Sequence, residues 1–339
     1  MAITLALKYR PKTWNDVTEQ ASVVSILQNQ INTQTHKNCY LFCGPAGCGK
    51  TTSARIFASD LNNGKGTPIE IDGASNNGVE QVRTIIDQAK MRALDCEYKV
   101  YIIDECHALS NNAWQAMLKL IEEPPKNTIF LFCTTDPQKI PATILSRVQR
   151  YDFKKISLDG VIDRLAYILQ QEISEGGQIT IEEEAIEYIA KLADGGMRDA
   201  ISLMDKCLSF SPDLTTKNVL QALGSANYDV MLNLLSSICS KSQDKAIEVI
   251  EQVYNDGLDL TQFMKQFWLF VLDVKKYNIF RDFKYLQLPC TLKSHLDILC
   301  GQVPENLLQD LLELNNSLKR ETCVKQYVES TLYSWLRVH

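Results

Sequence analysis

The chain has 339 residues, 45% of them hydrophobic and 22% charged, with a formal net charge of −6 at pH 7. This length is enough for two or three domains with sizeable cores, and no apolar run is long enough to cross a membrane. The first residues lack a basic segment followed by a long apolar one, so we expect no secretory signal, no membrane contact and a cytoplasmic location.

The charge is uneven along the chain. Residues 1–157 hold 18 basic and 15 acidic residues, whereas the remainder holds 17 basic and 26 acidic residues. We therefore expect any contact with a polyanion to use a local surface in the first part. The 11 cysteines occur singly, without a C-x-x-C pair, which indicates reduced and buried thiols rather than disulfides or a metal site.

Short apolar segments alternate with helical segments over the first 157 residues. The pattern predicts strands at 39–43, 68–72, 99–103, 129–133 and 149–153, with helices between them, notably over 78–92 and 110–122. Such alternation predicts a parallel sheet covered by helices on both faces, with ligands bound beyond the carboxyl ends of the strands. After residue 157 the pattern is helical only, with leucine stripes typical of helix–helix packing.

The segment 44–51 lies between the first strand and a helix and fits the pattern G-x-x-x-x-G-K-[ST]. In this pattern backbone N–H groups bind phosphates at a helix N-terminus, the lysine reaches the β- and γ-phosphates, and the hydroxyl binds Mg²⁺. We therefore predict ATP and Mg²⁺ as ligands, and we expect Cys48 to be open to oxidation or alkylation. The predicted nucleotide-binding residues are Gly44, Pro45, Ala46, Gly47, Cys48, Gly49, Lys50, Thr51 and Thr52.

Two acids follow the strand predicted at 99–103. Asp104 suits a carboxylate that holds Mg²⁺ together with Thr51, and Glu105 is placed to orient and deprotonate an attacking water. The strand predicted at 129–133 ends in hydroxyl residues that could sense the γ-phosphate or hold that water. Arg147 and Arg198 are further candidates for the γ-phosphate, since no other charge-stabilising group is evident. The predicted activity is ATP hydrolysis.

Several segments resemble the ATPase subunits of bacterial clamp loaders, the DNA polymerase III gamma/tau family. The resemblance is carried by residues 8–13, 44–51, 69–77, 103–110, 116–125, 134–141, 146–147 and 197–200. These segments keep the family order, while the last third of the chain matches only by its helical character. The resemblance implies an α/β P-loop AAA+ ATPase domain at 1–157, a small helical lid at 158–215 and an all-α collar for oligomerisation at 216–339.

The resemblance also implies roles for particular residues. Thr135 would sense the γ-phosphate in the same subunit, Arg198 would touch the same subunit's nucleotide from the lid, and Arg147 would serve the neighbouring subunit's nucleotide. The adenine pocket would be lined by Tyr9, Arg10 and Pro11. The phosphate backbone of DNA would be contacted by Asn76, Arg83 and Lys119.

The function implied by the resemblance is that of an ATPase motor in DNA replication. It would open a sliding clamp and load it on primer-template DNA, within a ring or spiral that includes delta-type and delta-prime-type subunits. The family's four-cysteine zinc module is replaced here by the cysteine-free segment 62–67, so we predict no structural zinc. The sequence ends after the predicted collar, without the extension of the longer family form, so we expect a short, gamma-like form.

Two other functions compete with this interpretation. One is a helicase loader or branch-migration motor, which clamp-stimulated ATPase activity would distinguish. The other is a structural clamp-loader subunit that does not hydrolyse ATP. The presence of Lys50, Thr51, Asp104 and Glu105 argues against the second.

Overall fold

The computed structural model describes residues 3–93, 95–223, 228–286, 288–289, 292–299, 301–319 and 321–336. Contacts within the chain divide it into two units. The first comprises Met1–Gly177 and Ala193–Asp205, and the second comprises Gln178–Leu192 and Lys206–His339. The predicted lid at 158–215 contributes to both units, and the division into three domains stays a prediction.

The strands are β1 (Cys39–Cys43), β2 (Ile69–Asp72), β3 (Lys99–Asp104), β4 (Thr128–Thr134), β5 (Gln149–Asp152), β6 (Thr180–Ile181) and β7 (Asp213–Leu214). The helices are α1 (Leu5–Lys8), α2 (Ala21–Asn32), α3 (Lys50–Leu61), α4 (Val79–Ala89), α5 (Asn111–Glu122), α6 (Ala142–Leu145), α7 (Leu158–Ser174), α8 (Glu183–Leu192), α9 (Met197–Phe210), α10 (Thr216–Leu223), α11 (Tyr228–Cys239), α12 (Gln243–Asn255), α13 (Leu260–Phe280), α14 (Lys293–Leu299), α15 (Leu307–Leu318) and α16 (Val324–Trp335).

The first unit contains a five-stranded sheet in the order β2-β3-β4-β1-β5, with every neighbouring pair parallel. All five predicted strands are found, each end within one residue of its predicted position. The residues of β1 and β4 are buried along their whole length, as expected of apolar strands covered on both faces. Because all strands are parallel, the segments that follow β1, β3 and β4 meet at one edge.

Helices cover both faces of this sheet and create two hydrophobic cores. On one face, alternate strand residues such as Leu41, Tyr101 and Phe130 pack with α4 and α5. On the other face, the intervening residues, including Tyr40 and Ile102, pack with α2 and α3. This three-layer arrangement confirms the predicted α/β class. It also fixes the position of each strand end at the edge of the sheet.

The second unit is mainly helical and has its own core, formed by α11 to α16. The expectation of helices only after residue 157 is wrong in one respect, because β6 and β7 form a small parallel sheet. Its backbone hydrogen bonds run from Thr180 N to Pro212 O and from Glu182 N to Leu214 O. Two-residue strands are too short to show an alternating pattern, so the sequence contained no signal for them. None of the helices in the described ranges combines the length and apolar character needed to cross a lipid bilayer.

Candidate active site

The loop at 44–49 joins β1 to α3 at the carboxyl edge of the sheet, and its backbone requires glycine. Gly47 has a φ of 70°, and a Cβ there would lie 3.0 Å from Gly196 Cα. A Cβ on Gly44 would lie 2.5 Å from Phe153 O. The loop is therefore held closely by two other segments of the first unit, and Met197 N donates a hydrogen bond to Gly47 O at 3.1 Å.

Lys50 is buried at the start of α3, where its ammonium group lies inside the curve of the loop. The side chain is 6% exposed, and Nζ donates hydrogen bonds to Gly44 O at 2.9 Å and Pro45 O at 2.7 Å. A buried cation at a helix N-terminus creates a region of strong positive potential. This arrangement fits the phosphates of a nucleotide.

Thr51 and Asp104 come together from α3 and β3. Thr51 Oγ1 donates a hydrogen bond to Asp104 Oδ2 at 2.7 Å. Hydroxyl and carboxylate oxygens are the donors that Mg²⁺ prefers, usually with waters and substrate phosphates completing its shell, so this pair fits the ion. The described residues contain no cluster of three or more His, Cys, Asp or Glu side chains that could hold a metal by themselves.

Glu105 stands at the same edge in an unusual backbone conformation. Its φ is 45° and its ψ is 41°, a left-handed geometry that costs energy for a residue with a side chain. Glu105 Oε2 accepts a hydrogen bond from Thr135 Oγ1 at 3.0 Å and lies 3.3 Å from His107 Nδ1. The structure therefore brings together Glu105 and Thr135, which directly follow the neighbouring strands β3 and β4.

His107 and Thr134 complete this cluster, and neither was assigned a role from the sequence. His107 Nδ1 lies 3.1 Å from Thr134 Oγ1, which also accepts a hydrogen bond from Asp136 N at 3.0 Å. Thr134 is fully buried. The available signals were the adjacent hydroxyl residues at the end of β4 and a histidine two positions after Glu105.

The two predicted arginines occupy different surroundings. Arg198 lies exposed in the first turn of α9, next to Met197, whose backbone contacts the loop. Arg147 follows α6; its Nε donates to Glu122 Oε1 at 2.8 Å, and its Nη1 donates to Thr143 O at 2.7 Å. None of the contacts found for Arg147 within the described residues involves the loop.

In the segment predicted to line the adenine pocket, Tyr9 and Arg10 contact different helices, α7 and α3. Tyr9 Oη donates a hydrogen bond to Glu172 Oε1 on α7 at 2.7 Å, and Arg164 Nη2 donates to Tyr9 O at 3.2 Å. Burial, followed by the bond to Glu172, raises the pKa of the Tyr9 hydroxyl to about 12. Arg10 points elsewhere, since its Nε lies 3.4 Å from Thr52 Oγ1 on α3. Pro11 is half-buried.

Cys48 does not fit the expectation of an open, reactive thiol. Its side chain is 1% exposed, and Sγ lies 3.0 Å from Pro45 O inside the loop. Burial raises the pKa of this thiol, which lowers the population of the reactive thiolate. The expectation was wrong because position in a phosphate-binding loop does not determine which way a side chain points.

The residues predicted to contact DNA lie on or before α4 and α5. Asn76 precedes α4 and its Nδ2 donates to Asp72 O at 3.0 Å, whereas Arg83 is exposed on α4 and paired with Glu80 at 2.8 Å. Lys119 is exposed in the last turn of α5. A hydrogen bond from Ser110 N to Asn77 O at 3.1 Å holds the beginnings of the two helices together.

Comparison with known proteins identifies the family of this chain. A family model described as "DNA polymerase III, delta subunit" matches residues 68–157, and one described as "DNA polymerase III clamp loader subunit, ATPase lid domain" matches residues 161–213. The chain is 34% identical over 259 residues to the DNA polymerase III subunit gamma of Buchnera aphidicola, covering 70% of this chain and 69% of that one. The chain belongs to the DNA polymerase III gamma/tau family.

Other relatives are longer than this chain. The tau subunit of Bacillus subtilis is 35% identical over 335 residues, which cover 92% of this chain and 59% of that one. The tau subunit of Escherichia coli is 34% identical over 277 residues, covering 75% of this chain and 42% of that one. The chain thus spans roughly half the length of these gamma/tau relatives.

Among solved structures, the RuvB Holliday junction branch migration motor of Thermotoga maritima matches with a TM-score of 0.53. The match has 22% identity and covers 68% of this chain and 79% of that chain, so it bears on the fold alone. Together with the parallel sheet, the lid match and the helical second unit, it confirms the predicted AAA+ architecture for this gamma/tau family member.

Proposed function

We propose that this chain is an ATP-hydrolysing motor subunit of a DNA polymerase sliding-clamp loader. The observation that carries the proposal is the hydrogen bond of Thr51 with Asp104, since Lys50 directly precedes Thr51 and Glu105 directly follows Asp104. These four side chains are the parts a P-loop ATPase needs for phosphate binding, metal binding and water activation. Membership of the gamma/tau family supports the choice of clamp loading.

In the proposed reaction Glu105 acts as the general base. Its carboxylate takes a proton from water as the water oxygen bonds to the γ-phosphorus, and the bond between that phosphorus and the β–γ bridging oxygen breaks to release ADP. The hydrogen bond from Thr135 and the nearby His107 restrict where this carboxylate can point. A fixed carboxylate supports the reaction because positioning accounts for much of catalysis.

Thr51 and Asp104 would hold Mg²⁺, directly or through water. A bound Mg²⁺ would neutralise charge that develops on the β- and γ-phosphate oxygens. Lys50 would bind the same phosphates, because its ammonium lies inside the loop.

The proposal includes two arginines with different partners. Arg198 directly follows Met197, whose backbone N–H donates to Gly47 O in the loop, and it would contact the nucleotide of its own subunit. Arg147, exposed and 38% accessible, would contact the nucleotide of a neighbouring subunit. Hydrolysis would then depend on assembly with delta-type and delta-prime-type subunits in a ring or spiral.

DNA and the sliding clamp are the remaining proposed partners. Asn76 and Arg83 lie near the beginning of α4, and Lys119 is exposed on α5. Amide and cationic side chains of this kind suit contacts with phosphates without reading base sequence. Acting on primer-template DNA, the subunit would work in the cytoplasm and use hydrolysis as a timer for clamp release.

The test is steady-state ATPase activity of the purified chain, reconstituted with its partner subunits, with and without sliding clamp and primed DNA. We expect clamp and DNA together to stimulate the wild type, and Glu105→Gln to lower turnover about 10²- to 10⁴-fold. Glu184→Gln, an exposed acid on α8, is the matched control and should keep full activity. Stimulation by DNA but not by clamp would favour a branch-migration or helicase-loading motor, and ATP binding without any turnover would favour a structural subunit.

A further inference from the structure

Arg10 stands apart from the rest of the segment predicted to contact adenine. Its Nε lies 3.4 Å from Thr52 Oγ1, in the first turn of α3 and two residues after Lys50. The side chain is half-buried. Within the described ranges no ion pair is found for Arg10, and neither of its terminal nitrogens has a hydrogen bond to the protein.

Charges of both signs surround Arg10, two cations and two anions. Burial is the main cause that lowers the pKa of its guanidinium; the cations Arg55 and Arg198 also lower this pKa, whereas Glu70 and Asp104 raise it. Glu70 is already paired with Arg55. A half-buried guanidinium without an ion pair of its own is costly unless an anion binds it.

We propose that Arg10 binds the α- or β-phosphate of the nucleotide rather than its adenine. Backbone N–H groups of the loop and of the following turn cradle these two phosphates, and Thr52 belongs to that turn. A guanidinium next to Thr52 can bind phosphate oxygens in a bidentate manner with its free terminal nitrogens. An uncharged adenine would leave the Arg10 guanidinium without an ion-pair partner. This inference rests on the proposed nucleotide-binding function.

The test measures equilibrium dissociation constants for ATP, ADP and GTP under conditions without turnover. We expect Arg10→Gln to weaken ATP and ADP equally, by about tenfold to hundredfold, because both carry the α- and β-phosphates. The preference for ATP over GTP should stay as in the wild type, since the base contacts are unchanged. Arg10→Lys should recover part of the affinity, because it restores charge but not the bidentate geometry.

Arg92→Gln is the matched control, because Arg92 is exposed and precedes β3, at the opposite edge of the sheet. It should bind all three nucleotides as the wild type does. Three results for Arg10→Gln would overturn the inference: unchanged affinities, a loss of affinity confined to ATP, or a lost preference for ATP over GTP. A wild-type chain that binds neither ATP nor ADP would instead overturn the proposed function. Thermal unfolding of each variant establishes that it is folded.

Discussion

The carboxyl edge of the parallel sheet and the helical core of the second unit both bury many residues, but they bury different groups. At the sheet edge the buried groups include the Lys50 ammonium and the Thr134 hydroxyl, each with polar partners. The core formed by α11 to α16 is mainly apolar, with side chains such as Phe263, Phe267 and Leu311, although Ser237 and Asp273 on these helices are buried as well. The difference separates a region organised for chemistry from one organised for stability, and it predicts that mutations in the two regions have different effects.

The largest expected effect lies in the helical core. Phe267 is fully buried on α13, so Phe267→Ala should lower the free energy of unfolding of the second unit by about 3–5 kcal/mol. Chemical denaturation followed by circular dichroism measures this change. Leu312→Ala, at a residue 44% exposed on α15, should change stability by less than about 0.5 kcal/mol. Equal losses in the two variants would contradict the assignment of this core.

A second prediction concerns the buried cation of the loop. Lys50→Ala should weaken ATP binding by at least about 100-fold, because it removes a charge-assisted contact with the phosphates. Its thermal midpoint should stay close to that of the wild type, since the ammonium makes hydrogen bonds only to Gly44 and Pro45 among the described residues. Titration calorimetry measures the affinity. If Lys50→Ala unfolded, and still bound ATP under stabilising conditions, Lys50 would serve stability rather than ATP binding. That result would contradict the difference between the two regions.

A third prediction tests the positioning role of His107. His107→Ala should lower kcat for ATP hydrolysis about tenfold while the ATP dissociation constant stays the same, because the side chain holds Glu105 and Thr134 rather than ATP. His107→Gln should recover part of kcat by restoring a hydrogen-bonding group. His295→Ala, at an exposed position on α14, serves as the control. A change in ATP affinity without a change in kcat would point to a different role.

The smallest expected effect concerns Cys48. Iodoacetamide at pH 7.5 should modify the exposed Cys323 and leave Cys48 unmodified, because burial both excludes the reagent and raises the pKa of the Cys48 thiol. Thiolate therefore becomes populated only at a higher pH than for an ordinary cysteine. Peptide mass spectrometry after short exposure measures the modification. Rapid labelling of Cys48 with loss of ATP binding would show that the loop opens more readily than its packing indicates.

The sequence was sufficient for features that depend on local pattern. The five strands, the G-x-x-x-x-G-K-[ST] segment at 44–51 and the two acids at the end of β3 were all predictable, because apolar runs and glycine spacing are read within a few residues. It was insufficient where distant segments meet. His107 and Thr134 come together only because β4 pairs with β3, and Arg10 reaches Thr52 across 42 positions of the chain. Likewise, β6 and β7 exist only through their pairing.

The central claim is that the carboxyl edge of the sheet binds ATP together with Mg²⁺, and its most direct test is a titration of ATP in the presence and absence of Mg²⁺. We expect the wild type to bind ATP more tightly with Mg²⁺, and Asp104→Asn to lose most of that gain while keeping the binding seen without the ion. Saturable ATP binding that is equally sensitive to Mg²⁺ in both proteins would contradict the assignment of Asp104. Absence of ATP binding in the wild type would contradict the whole account.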